Sequence, residues 1–116
     1  MQTDLEKECD KLWGQAVLVR AGFRSEISGA TAADIIDPHH LVSRSYQRTR
    51  YDLRAGLAVT RVEHENPAQI EAWLRENRPR QYAFVRKAKQ DRACGRSAQK
   101  PDLVRIKNRL ERFVFG

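Results

Sequence analysis

An α+β fold is the class this sequence predicts. Three observations lead there: helical spacing of apolar residues at both ends, a glycine-punctuated β-prone run in the middle, and an Asn-Pro helix start directly behind that run. The chain has 116 residues, the size of one domain, and 41% of them are apolar, enough for a modest core.

The elements follow in order. "TDLEKECDKLWGQAVLVRAG" reads as a helix, with Thr3 and Glu6 spaced as a capping box and Gly22 as the stop. Leu5, Cys9, Leu12, Trp13, Ala16 and Val17 recur at helical spacing and should face the core. "FRSEISGATAAD" is turn-rich. "IIDPHHLVSRS" has a strand-like apolar start and finish around Pro38, and "RYDLRAGLAVTRV" supplies a glycine turn and a β-prone run, so a hairpin is expected. Asn66 and Pro67 form an N-cap and first helical residue, with Ile70, Trp73 and Leu74 on one side of the helix that follows. "PRQYAFVRKAKQ" gives another helix and "ACGRSAQKP" a connector. "DLVRIKNRLERFVF" is a last amphipathic helix through Leu103, Ile106, Leu110 and Phe113. The expected order is helix, β-hairpin, helix, then two basic helices. The β-β-α unit covers about residues 33–78 and the basic extension about 79–116.

Charge is unevenly spread. Residues 1–74 hold 9 Lys/Arg against 11 Asp/Glu, a net of −2, whereas residues 75–116 hold 13 against 4, a net of +9. Such a field suits a polyanion, most often nucleic acid; a solvated helical face is the plainer alternative. No apolar run approaches the length of a membrane span, and the acidic, helical opening is unlike a targeting segment. Cys9 and Cys94 form neither a CxxC nor a disulfide framework, which fits a reducing, cytoplasmic setting.

All three histidines fall in or near the β-β-α unit. His39 and His40 are adjacent, and His64 precedes the helix. Neighbouring side chains on a strand point to opposite faces, so the two rings diverge. A metal-dependent phosphodiesterase needs a neutral imidazole to take a proton from water and a divalent cation to stabilise charge on the phosphate. A diverging pair can divide that labour, with a ligand at the helix start closing the site. The competing reading is a basic interaction protein whose histidines are structural.

"HHLVSRSYQRTRYDLRAGLAV" followed by "EH" resembles the HNH endonuclease motif, particularly of small phage and bacterial HNH proteins. The upstream "LVRAGFRSEISG" is similar to that family's Arg-x-Gly-x-x-Cys-x-x-Cys/Ser-Gly entry, and the likeness spans roughly residues 12–78. The resemblance implies a ββα-metal (His-Me finger) fold and metal-dependent DNA cleavage or nicking, in the context of phage or mobile-element DNA in a bacterial or phage-infected cell. It implies His39 and His64 as ligands of one divalent ion, Mg2+ or Mn2+, and His40 as general base. Arg44 and Arg50 match basic positions suited to phosphate; Arg48, Arg86, Lys87 and Lys89 are further expected DNA contacts. Asp37 and Asp52 are candidates for orienting a histidine; the family gives Asp37 no firm role, and an Asp before Pro is also ordinary turn chemistry.

Two departures from the motif matter. Ala55 stands where the family has an Asn that holds the base histidine. Either a backbone carbonyl, Asp37 or Asp52 substitutes, or activity is weak or absent, the last leaving a chain that binds DNA without cutting it. Ser25, Ser28, Thr60 and Glu63 occupy the positions of four zinc-knuckle cysteines and are no zinc set, so no structural zinc is expected. Packing through Trp13, Val17, Leu57, Val59 and Trp73 is then expected to hold the hairpin to the first helix.

Overall fold

Glu26 gives both its backbone and its side chain to one residue of a strand, and the fold is organised around that strand. The computed structural model describes residues 2–31, 35–95 and 100–116. Helix α1 spans Asp4–Arg20, strand β1 Ile36–His40 and strand β2 Gly56–Thr60. They are followed by a short α2 (Arg61–His64), α3 (Pro67–Asn77), α4 (Pro79–Ala93) and α5 (Leu103–Phe115). The chain is therefore α+β. The expected start of the β-β-α unit at residue 33 and part of the expected connector before α5 lie outside the described residues.

The helix boundaries obey local chemistry. Thr3 and Glu6 form a reciprocal capping box at the start of α1, and Gly22, at φ 66°, takes the left-handed conformation beyond its end. The Asn66 side chain accepts from the Gln69 N–H, and Pro67 opens α3 without wasting a donor.

The strands pair antiparallel, with Pro38 opposite Ala58, His39 opposite Leu57 and His40 opposite Gly56. Pro38 costs the ladder nothing. Its partner Ala58 sends its N–H to Glu26 Oε2 and its C=O to the Glu26 N–H, both at 2.8 Å, so this pair is a non-hydrogen-bonded one. Glu26 thereby also covers the outer edge of β2, which would otherwise invite further strands.

Strand alternation sends the two faces of the sheet to two cores. Ile36 and Ala58 pack with Cys9, Leu12, Trp13, Ala16 and Val17 of α1, Tyr51, and Leu110 of α5. Leu57 and Val59 face the other way, with Leu41, Val42 and Ala55 of the inter-strand loop, Ile70 and Leu74 of α3 and Val85 and Ala88 of α4. Trp73 and Tyr82 are half-buried at the edge of this second cluster. The expected packing set is thus divided: Trp13 and Val17 hold one face of the hairpin, and Leu57, Val59 and Trp73 belong to the other. Leu103, Ile106 and Leu110 place α5 on α1 as its periodicity requires, whereas Phe113 remains 45% exposed.

Candidate functional site

The register puts Asp37 and His39 on the α3–α4 face and His40 on the α1 face. Residues two apart share a face and neighbours do not. Thr60 and Glu63 form a second capping box at the start of α2, and that turn carries His64 back over β1. The His39 and His64 rings meet edge to face, with centroids 4.5 Å apart and planes at 68°. Asp37 Oδ2 lies 3.4 Å from His64 Nδ1, and Asp37 also pairs with Arg61. Two imidazoles and a carboxylate that are up to 27 residues apart in the chain therefore share one corner of the hairpin.

His39 is half-buried. Burial first, then His64, His40 and Lys89, push its pKa down to about 4. Its ring is neutral over the ordinary pH range, the form in which imidazole offers a lone pair to a metal. The Asp37 carboxyl is buried enough to be pushed upward, but Arg61 and His64 outweigh this and hold it below the usual carboxylate value. Among the described residues no group of three or more His, Cys, Asp or Glu side chains is placed to hold a metal ion, so His39 and His64 are at most a two-residue donor pair.

His40 lies flat on the Trp13 indole, with centroids 3.8 Å apart and planes at 9°. Burial lowers its pKa, opposed by a hydrogen bond from the ring to the Arg50 backbone carbonyl. Its Nε2 is covered, and no described residue hydrogen-bonds it. The Trp13 indole N–H is anchored in turn on the Asp52 carbonyl at 3.0 Å. Gly56 makes room for this stack, because a Cβ there would lie 2.6 Å from the Trp13 ring.

Of the three groups expected to replace the motif's Asn, a backbone carbonyl is the one beside His40. Asp37 is with His64. Asp52 caps the turn at Leu53–Ala55 and pairs with Arg54, so it orients no histidine through its side chain. Ala55 is fully buried in the cluster on the opposite face of the sheet.

The expected DNA contacts separate into three groups. Arg50 is not placed to meet a phosphate. It is buried, and its guanidinium grips Asp10 of α1 through Nε at 3.1 Å and an Nη at 2.8 Å. A buried guanidinium needs such a partner, and the same grip holds the inter-strand loop, hence the Arg50 carbonyl, against His40. Arg44 rests on Asp10 with its side chain 58% exposed. Arg48 and Lys87 both reach Asp91, which joins the inter-strand loop to α4. Arg86 and Lys89 are exposed on α4 and line a groove between α3 and α4 in which His39 also lies.

Sequence reasoning missed Glu26 and Asp10. Glu26 is gripped by Arg20 at 2.9 Å and Arg78 at 2.7 Å, besides its bonds to Ala58. Ser25, Ser28, Thr60 and Glu63, the positions expected to stand in for zinc-knuckle cysteines, form a hydrogen-bonded knot. Ser25 Oγ donates to Glu63 Oε1 at 2.6 Å, the Thr60 N–H donates to the same oxygen at 2.8 Å, and Ser28 also bonds Glu63. The Thr-x-x-Glu spacing was a visible signal for this cap.

Compared with known proteins, the chain matches no family model, and neither curated proteins nor solved structures give a significant match. No described helix is long and apolar enough to cross a membrane.

Proposed function

We propose that the chain is a metal-dependent phosphodiesterase of the HNH type that nicks or cleaves DNA, its hairpin, α2 and α3 acting as a ββα-metal unit. The observation that carries this reading is the edge-to-face contact of His39 and His64, with Asp37 against His64. Bound there, a divalent ion such as Mg2+ or Mn2+ supplies charge stabilisation at the scissile phosphate. His39 and His64 hold it, and Asp37 keeps the His64 ring in place. For His40 to take the proton of the attacking water its Nε2, covered in this structure, must become accessible; Trp13 and the Arg50 carbonyl set its ring. Arg44, Arg48, Arg86, Lys87 and Lys89 hold the DNA backbone.

One observation favours a second reading, an HNH-like protein that binds DNA without cutting it: the covered Nε2 of His40. A nicking assay on supercoiled plasmid separates the two. The nuclease reading requires relaxed plasmid with Mg2+ or Mn2+, and intact plasmid with EDTA, His39→Ala or His40→Ala. Intact plasmid throughout, with a retained gel shift, leaves the binding reading; no shift and no nicking removes both.

A further inference from the structure

The groove between α3 and α4 has a volume of about 530 Å3, within the range of about 300–1,000 Å3 usual for sites that enclose small organic groups. Leu74, Tyr82 and Val85 form an apolar floor, His39 lies at the groove, and Arg86 and Lys89 line the same groove from α4. We propose that this groove seats an unpaired nucleobase next to the phosphate held at His39, so that the preferred substrate is DNA with an extruded or unpaired base. The inference deepens the DNA phosphodiesterase reading and rests on it.

The lining selects the occupant. A tyrosine among aliphatic side chains offers a surface on which any base can stack, and the two cations suit the phosphates that flank such a base. Glu71 also lines the groove. Its carboxylate repels a phosphate but accepts from the exocyclic amino groups of adenine, cytosine and guanine. In a paired duplex both faces of each base are covered by its neighbours, so only an extruded base can enter.

The test is affinity in EDTA, where no cleavage occurs. A labelled duplex is compared with the same duplex carrying a single-base bulge. Wild type should bind the bulged DNA about tenfold more tightly, the scale of losing or gaining one base stack. Ala68 on α3 and Ala93 on α4 are exposed positions lining the groove. Ala68→Leu and, independently, Ala93→Leu should narrow it without adding an aromatic face and bring the bulged-DNA affinity down to the duplex value. Equal affinity of wild type for both DNAs overturns the proposal, as does a preference that survives both substitutions. Failure to nick in Mg2+ or Mn2+ overturns the catalytic reading and leaves this comparison intact. Nicking with no preference for the bulge does the reverse.

Discussion

The His40 imidazole lies flat on the Trp13 indole, 3.8 Å between centroids, and this contact ties the expected base to the first helix. Trp13 is itself fixed by its indole N–H on the Asp52 carbonyl. Trp13→Phe keeps an aromatic face but leaves that carbonyl unpaired, so stability should fall by about 1–2 kcal/mol in urea unfolding. On the proposed nuclease reading, nicking by the variant should drop in proportion more than DNA affinity, because the ring that sets His40 has shifted.

Asp10 acts on the same histidine at one remove. Asp10→Ala leaves the Arg50 guanidinium buried without its partner, which should cost about 3 kcal/mol. The inter-strand loop then loosens, and the His40 contact to the Arg50 carbonyl goes with it. The double variant Asp10→Ala with Arg50→Met should recover much of the stability; a double variant no better than the single one would mean the pair is not the anchor.

Glu26 sets an acid limit. Burial works to raise its pKa, but the Ala58 N–H, Arg78 and Arg20 outweigh it and hold the carboxyl below its ordinary value. A depressed folded pKa means that the contribution is complete above the unfolded value, near 4.3, and is lost as pH falls from there through the folded one. Unfolding measured from pH 6 down to 2 should show this loss, and Glu26→Gln should flatten it while lowering stability at neutral pH.

The knot of Ser25, Thr60 and Glu63 should take the place of a structural zinc. With no Mg2+ or Mn2+ added, the melting temperature should be the same with EDTA as without it. Glu63→Ala removes the acceptor of both the Ser25 hydroxyl and the Thr60 N–H, and should cost about 1–3 kcal/mol in the same measurement. A melt lowered by EDTA in the absence of added Mg2+ or Mn2+ would show that a tightly held metal has a structural role.

Placing at position 55 the Asn of the motif that the sequence resembles should not help. Ala55 is fully buried among apolar side chains on the face away from His40, so Ala55→Asn buries an amide without reaching that ring. The expected result is a loss of about 1–3 kcal/mol and no gain in nicking rate.

What was legible in the sequence was local. Helix α1 was readable from Thr3, Glu6 and its apolar stripe, and α3 from Asn66-Pro67, because caps and periodicity act within a few residues. The divergence of His39 and His40 followed from strand geometry alone. The tertiary structure decided which partner each face met. Arg50 looked like a phosphate contact until the fold brought it to Asp10, 40 residues away, and Glu26 showed no signal until Arg78, 52 residues on, closed over it. Such pairings depend on how helices pack across a sheet, and no spacing along the chain encodes them. The same holds for the site. Its residue types were written in the chain, but the meeting of His64 with His39, and the seating of His40 on Trp13, arise from the packing of α2 and α1 on opposite faces of one hairpin.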